Sequence, residues 1–566
     1  MDHTKAGILI SNLIERLVTD SNGSMSLPGL LTTNELKALQ FAILELGGSD
    51  AVTGAAPTES PPVSALSAAV PATVPKEVAA KPASAIALDM SVLKMPKVSN
   101  MRLCLDFGTA MSKATLVLDG SAEQICVLEL GKPGDQEEVR NVMLISSVYI
   151  DNAGLIWFGK NAVDRSLIEG GDGSRQRLDN IKRRLSEDGF DDAVGTPIFA
   201  PQGVEVTYGQ MILAYLMFLT WATSRALESS GYQRNVQRRF AMPCFPSNKS
   251  RDVSHELRRM LGEAQVLADT FSASMTSGIP VADFVAAVKS LKATKADYPF
   301  MAEDITEPLG VAGALLSWRN RVDMLVMVID VGAGTSDMSL YRILVDPQNG
   351  LNTAQEVANS ARGITEAGNF LDRVLIEFIL KKAGVKSDAD GAVAARSKLE
   401  LNIRDYKETL FNEKFLFIAL ANGIDVELEL DEFLSIDAVK GFGVTLRATM
   451  SEILEAVDYS FVEWILSNPS RYLTVALTGG GAALPMVQDL AKGSILVRGQ
   501  KVPVQAALPF PTWLQTDYAE LEDDFARIAV SLGGARRRLI QRGDGASITA
   551  GLTSAPKLGG YYQKGS

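Results

Sequence analysis

Histidine is almost missing from this chain. His3 and His255 are the only two in 566 residues, which makes histidine-based triads and His-rich zinc sites poor candidates for its chemistry. Cysteine is nearly as scarce. Cys104, Cys126 and Cys244 lie far apart, without metal-ligand spacing. They exclude a disulfide framework and point to a reducing compartment. No early apolar run has the length of a signal peptide, and no stretch of about 18 apolar residues suggests a membrane span. The expectation is a soluble, cytoplasmic protein. Excess positive charge is also lacking. The 67 acidic against 55 basic residues give a net charge of −12, which argues against general affinity for nucleic acid or anionic membranes. The short run Arg536-Arg537-Arg538 is expected on a helix face rather than in a nucleic-acid patch.

What is present is a chain able to bury a core, with 46% hydrophobic and 22% charged residues. At roughly 100–200 residues per domain, about three or four domains fit. Residues 1–52 read as a small helical segment. Ile10, Leu13, Ile14 and Leu17 share one helical face, and a second helix starts at a capping box formed by Thr32 and Glu35. Two helices this short bury little surface alone, so they dock on the main body or on a partner. The stretch 53–96 is an Ala/Pro-rich linker, followed by alternating strands and helices over 97–319 and 320–541 and a flexible tail over 542–566.

Three stretches carry the chemistry. Met101 to Leu118 read M-R-L-C-L-D-F-G-T-A-M-S-K-A-T-L-V-L. An apolar run meets Asp106, then Gly108 and Thr109, and a second β-rich run returns. Val328 to Leu340, V-I-D-V-G-A-G-T-S-D-M-S-L, repeat that grammar with Asp330, Gly332, Ala333, Gly334, Thr335 and Asp337. Glycine lets such a turn bend where a Cβ would clash. Turn amides can face a phosphate, and the aspartates can hold a hydrated magnesium ion. Either turn alone is compatible with an ordinary hairpin. Two of them, more than two hundred residues apart, suggest related halves clamping one polyphosphate. In Leu473 to Leu490, an apolar strand runs into Gly479, Gly480 and Gly481 before a helix near Pro485. Those glycines allow a flat adenine–ribose unit to approach the backbone.

Together these stretches resemble the phosphate-1, phosphate-2 and adenosine motifs of the actin, sugar-kinase and heat-shock ATPase superfamily, and most nearly the nucleotide-binding domain of the 70-kDa heat-shock chaperones. The resemblance spans roughly residues 97–541, in the superfamily's motif order. Its implied fold is α/β and two-lobed, with duplicated ribonuclease-H-like mixed sheets and flanking helices. ATP or ADP with Mg2+ is the implied ligand. The segment L-D-N-I-K-R-R-L resembles the family's I-K-R-L and implies Lys182 as the catalytic lysine, although three consecutive basic residues also suit a solvated helix. Pro243 and Arg251 match the spacing of a proline–arginine relay. I-T-E-P-L-G-V-A-G-A resembles N-E-P-T-A-A-A and implies Glu307 near magnesium and the hydrolytic water, after an apparent insertion over residues 276–298. G-I-T-E-A-G-N-F-L-D resembles L-G-G-E-D-F-D, with Gly368 at its second glycine. The helix over Lys398–Leu410 resembles the one covering adenine, with Lys407 at a nucleotide-contacting position. By the same likeness Asp106 and Asp330 hold magnesium through water, while Asp106, Gly108, Thr109, Ala110, Met111, Gly332, Ala333, Gly334, Thr335 and Gly479–Gly481 hold the nucleotide. Lys182, Glu307, Asp337 and Thr335 carry hydrolysis.

Several positions depart from the family. Ala110 lacks a hydroxyl expected beside the phosphates. Ala333 replaces a glycine, which matters if the turn needs φ > 0. Glu408 and Ala483 stand where the family has arginines near the base, and Phe411 is a candidate to stack there instead. After residue 541 about twenty-five residues remain, too few for a peptide-binding β-sandwich of about 100. The expected function is a chaperone-like, slow Mg-dependent ATPase that switches lobe closure and binding of a partner or client protein, with the N-terminal helices as an interaction arm. The alternatives are an actin-like filament protein and a nucleotide-binding scaffold with little turnover.

Overall fold

The computed structural model describes residues 86–541 apart from short breaks at 97, 121, 135–140, 171–173, 186–188, 196, 246, 386–391 and 421–423, and also a two-residue antiparallel pair between Val18–Thr19 and Met25–Ser26. The expected helices over residues 10–17 and 32–46, the linker up to residue 85 and the tail from 542 lie outside the described residues.

Two mixed sheets dominate. In the first, β1 (Val98–Asp106) pairs antiparallel with β2 (Met111–Leu118), which pairs antiparallel with β3 (Gln124–Val127). On its other side β1 runs parallel to β4 (Val236–Met242), and β4 parallel to β5 (Met301–Thr306). In the second, β6 (Val322–Val331) pairs antiparallel with β7 (Ser336–Asp346), and β7 with β8 (Leu351–Glu356). β6 also runs parallel to β9 (Leu473–Thr478), and β9 parallel to β10 (Gln500–Ala506). The two sheets share one order of five strands, third–second–first–fourth–fifth, and one pattern of directions. The sequence carries this plainly. β6, β9 and the inner end of β1 from Leu103 to Leu105 are apolar runs because the parallel side of each sheet is covered on both faces.

Helices complete each half. α1 (Tyr208–Ser229) starts at a capping box made by Thr207 and Gln210 and is apolar nearly all round, as befits a buried helix. It packs against α2 (Ser247–Thr270). The insertion expected over residues 276–298 contains a further helix, Val281–Thr294, whose Phe284, Val288 and Leu291 join the same core. In the second half, α4 (Gly368–Lys382) packs on α5 (Ala392–Glu413).

The two halves meet through α3 (Glu307–Leu315) and α6 (Phe525–Ala535). α3 follows the first sheet yet packs on β6 and β7 of the second, whereas α6 ends the second half yet packs on β1 and β2 of the first. Their crossing is so close that a Cβ on Gly533 would lie 1.7 Å from the Gly310 carbonyl oxygen. A third core of Cys104, Val117, Ile305, Val326, Val328 and Ile528 fills the space around this crossing.

Two details differ from expectation or extend it. Residues 86–95, on the linker side of the boundary drawn from sequence, pack on the first core through Ile86, Leu88, Met90, Val92 and Leu93. Arg536–Arg538 do not form a helix face, because α6 stops at Ala535. The Arg536 guanidinium instead turns inward, donating to Glu123 Oε2 at 2.7 Å and to the Gly313 and Leu316 carbonyls. Arg538 lies over the Trp318 ring. A basic triplet read without its contacts looks solvated. Here two of its guanidiniums find a carboxylate, carbonyls and aromatic faces.

Candidate functional site

The matching sheets present matching hairpins. The β1–β2 turn is Phe107–Ala110 and the β6–β7 turn is Gly332–Thr335, both of four residues. Their register puts Asp106 opposite Lys113 and Asp330 opposite Asp337. Directly opposed residues share one face of a sheet, so each hairpin offers two polar side chains to the same side.

The turns touch. A Cβ on Gly334 would sit 2.7 Å from Thr109 Oγ1, so only a residue without a side chain allows this approach. Gly108 is required for a different reason, since its Cβ would meet the Met111 carbonyl oxygen at 1.9 Å. Met111 itself pairs with Ile145, and the Ala110 carbonyl accepts from Ser146 N–H at 2.8 Å. Ala333 has no left-handed backbone, and neither do Gly332 and Gly334. The concern raised by an alanine in this turn therefore disappears. The turn needs glycine for close approach at 334, not for positive φ at 333.

α4 fastens the second turn from behind. Gly368 N–H donates to the Gly332 carbonyl at 3.0 Å and Asn369 N–H to the Ala333 carbonyl at 2.7 Å. From α5, Lys407 reaches across to the Gly368 carbonyl at 3.2 Å and forms an ion pair with Asp372 at 2.5 Å. The third glycine turn closes over the same place. Gly479 has φ +83°, and its Cβ would lie 2.4 Å from Asp330 Oδ1; the Cβ of Gly481 would meet Val331, and that of Gly480 would meet nothing within 4 Å. Gly479→Ala is accordingly expected to cost at least about 2 kcal/mol in a denaturant titration, while Gly480→Ala stays within about 0.5 kcal/mol. Equal effects at the two positions would refute this placement.

Four acids and two lysines face each other here. Lys182 lies on a short 3-10 turn, Ile181–Leu185, and is buried, while its neighbour Arg183 is exposed. The solvated-helix reading of the basic triplet thus fails at its first residue. Lys182 Nζ donates to Glu307 Oε1 at the start of α3 and lies 5.8 Å from the Phe107 ring centroid. Burial opposes its charge, but Glu307, Asp106 and Asp337 prevail and hold the ammonium above the usual lysine range. Asp106, Glu307, Asp330 and Asp337 are all buried. Asp330 is pushed well above the usual carboxylate range, first by burial and then by Glu307, Asp337 and Asp106. Asp337 is raised too, by burial and Glu307, against the opposing pull of Thr335, the Cys244 amide and Lys182. Its Oδ1 accepts from Cys244 N–H at 2.7 Å, and its Oδ2 has no partner.

Such a cluster suits a hydrated divalent cation. Four carboxylates outnumber two ammonium groups, and a buried oxygen waits unbonded. Among the described residues no three His, Cys, Asp or Glu side chains converge so as to ligate a metal directly.

Some expected residues fall elsewhere. Pro243 is buried one residue before Cys244, but Arg251 is exposed near the start of α2. Phe411 is half-buried and meets Phe433 at right angles, ring centroids 6.2 Å apart, beside the second core. Glu408 and Ala483 are both exposed. Lys113 and the Cys244 amide were missed. The signal for Lys113 was present in its spacing, seven residues after Asp106, the same as Asp337 after Asp330.

Comparison with known proteins adds a relation. No family model matches the chain. Among curated proteins it is similar to the Chaperone protein DnaK of Mycoplasmoides gallisepticum (strain R(low / passage 15 / clone 2)), at 26% identity over 203 residues. The match covers 34% of this chain and 31% of that protein, so the chain spans about a third of the relative's length. The similarity supports a relation to the heat-shock-70 family over that part of the chain. Among the described residues no helix is long and apolar enough to cross a membrane.

Proposed function

We propose that this protein binds ATP in the cleft between its two halves and hydrolyses it slowly with Mg2+, and that nucleotide state sets cleft closure and the binding of a partner or client protein. The reading takes the two halves as the lobes of an actin-like ATPase with ribonuclease-H-like sheets. The observation that carries it is the pairing of Lys182 with Glu307 beside Asp106, Asp330 and Asp337, between two hairpins of equal length and register. Phosphoryl transfer needs positioning and charge stabilisation more than proton-abstracting histidines, and this site offers both.

In this reading Gly108, Thr109, Ala110, Met111 and Gly332–Thr335 cradle the phosphates. The Lys182 ammonium stabilises charge on the transferring group, and Glu307 and Asp337 orient the attacking water. Asp106 and Asp330 would hold a magnesium ion through water, and that ion would supply charge neutralisation of the phosphates. Gly368, Lys407 and Gly479–Gly481 bound the nucleoside, and Pro243 with Arg251 carries its state outward along α2. The cell's cytoplasm, the N-terminal segment as an interaction arm, and a client as partner belong to the same proposal.

Calorimetric titration of the full chain with ATP and Mg2+, followed by a phosphate-release assay, tests it. The expected result is saturable binding with turnover well below that of metabolic kinases. Neither binding nor release would overturn the proposal. Tight binding without release would favour the scaffold reading, which Ala110 supports because no second hydroxyl stands at the phosphate turn.

A further inference from the structure

Residues 86–96 read as linker from sequence, yet they lie along the first half as a strap. Ile86, Leu88 and Met90 point inward, with exposed Ala87 and Asp89 between them, and a 3-10 turn, Ser91–Lys94, buries Val92. Among the described residues two hydrogen bonds tie the strap to the body. The Asp89 N–H donates to Thr270 Oγ1 at 3.0 Å, at the last residue of α2, and Asn235 Nδ2 donates to the Pro96 carbonyl.

Beside Thr270 stands Asp269, whose side chain is 4% exposed. Its Oδ1 accepts from Arg234 Nη1 at 2.7 Å and from Gln265 Nε2 at 3.0 Å, while its Oδ2 is buried without a partner. The charged groups acting on it come from three sides. Arg234 precedes β4, the buried Arg238 lies on β4, and Asp89 lies on the strap. Arg234 also acts on Asp89, so one guanidinium is shared by two carboxylates. Burial is the strongest influence on Asp269. With Asp89 it overcomes Arg234, Arg238 and Gln265, and the carboxyl is pushed up to about 6. An unbonded carboxylate oxygen out of water is a costly place to keep a charge.

The docked strap covers this end of α2 and brings the second carboxylate. Asp269 therefore holds a proton more tightly with the strap docked than with it released, when the carboxyl falls toward its ordinary value of 3.8. Linkage fixes the sign. Docking is strengthened as pH falls through about 6, and that gain is lost as pH rises through the same value.

We propose that residues 86–96 are a proton-sensitive strap: proton uptake by Asp269 tightens its docking on α2, and proton loss lets it lift. A lifted strap adds eleven residues, up to about 36–40 Å of extended chain, to the tether of residues 1–52. The reach of that segment, and the local concentration of whatever it holds, then follow pH. The inference stands apart from the nucleotide reading and does not fall with it.

Hydrogen–deuterium exchange of the full chain over pH 5.5–8, corrected for the intrinsic pH dependence of exchange, tests it. Protection of residues 86–96 is expected to be about 3- to 4-fold greater at pH 5.5 than at pH 7.5. Asp269→Asn, which keeps the shape without the charge, should hold the strap at the pH 5.5 level throughout. A merely structural aspartate would instead give weaker protection at every pH. Arg234→Gln, which takes the nearest cation from Asp269, should move the midpoint up by about one pH unit, and it decides the matter if Asp269→Asn does not fold. Protection that ignores pH in the wild-type chain, a pH dependence that survives Asp269→Asn, or a midpoint unmoved by Arg234→Gln would each overturn the proposal.

Discussion

Lys182→Ala is expected to reduce phosphate release from ATP by at least about 100-fold while ATP affinity stays within about 10-fold. The reason lies in where the charge sits. Lys182 is buried against Glu307, with Asp106 and Asp337 close enough to raise its proton affinity. An ammonium held there has its strongest interaction with charge that develops on a transferring phosphoryl group, so its loss falls on the chemical step. Binding would retain the turn amides and the cation. The same change removes one of two positive charges from four acids, so the empty protein should melt earlier. Breaking a buried pair by deleting one partner costs about 3–5 kcal/mol, and magnesium with ATP should restore much of that loss. Thermal melts with and without MgATP, run beside single-turnover phosphate release, check both halves. Equal loss of binding and hydrolysis would show that Lys182 serves binding alone.

Gly533→Ala should be among the most damaging single-methyl substitutions in the molecule. The added Cβ would lie 1.7 Å from the Gly310 carbonyl oxygen and 2.6 Å from Ala314 N. Both are backbone atoms, which no rotamer change can move aside. α3 and α6 must separate, and the third core, which fills the space around their crossing, must open with them. A loss of about 3 kcal/mol or more is expected. Gly441 supplies the contrast. It lies within the helix Asp437–Ala456, and a Cβ there meets nothing within 4 Å. Gly441→Ala should stabilise by about 0.5–1 kcal/mol, because alanine costs less helix entropy than glycine. Denaturant titration of both variants decides the matter. A Gly533→Ala protein as stable as wild type would mean that the helices do not cross at backbone contact.

These two predictions draw on different kinds of information. The two hairpins beside Lys182 were legible in one dimension because each is set by residues within a few positions of one another. A turn that admits a phosphate needs small residues and a carboxylate at short fixed spacings, and L-D-F-G-T-A and V-I-D-V-G-A-G-T-S-D show them. The apolar runs of β6, β9 and the inner end of β1 were legible for a related reason, since strand residues covered on both faces must be apolar. The crossing of α3 and α6 was not legible. Gly310, Gly313, Gly533 and Gly534 stand over two hundred residues apart in two groups, and nothing in either helix says that it packs on the other half's sheet.

The misreadings have the same origin. Charge in sequence defaults to solvent, which puts Arg536 to Arg538 on a helix face, yet Glu123, distant in the chain, draws Arg536 inward, and Arg538 stays exposed over the Trp318 ring. Ala333 looked like a lost glycine until the turn proved to need no positive φ there.

The sequence by itself determined the strands, the glycine turns and the acids beside them, because each depends on residues within a few positions of one another. The tertiary structure alone decided which turns face each other, that Lys182 meets Glu307, that Lys113 stands opposite Asp106 where Asp337 stands opposite Asp330, and that two helices cross without side chains between them. Those are relations between segments brought together by burial of a shared core, and burial depends on the sum of many apolar contacts that no local pattern records.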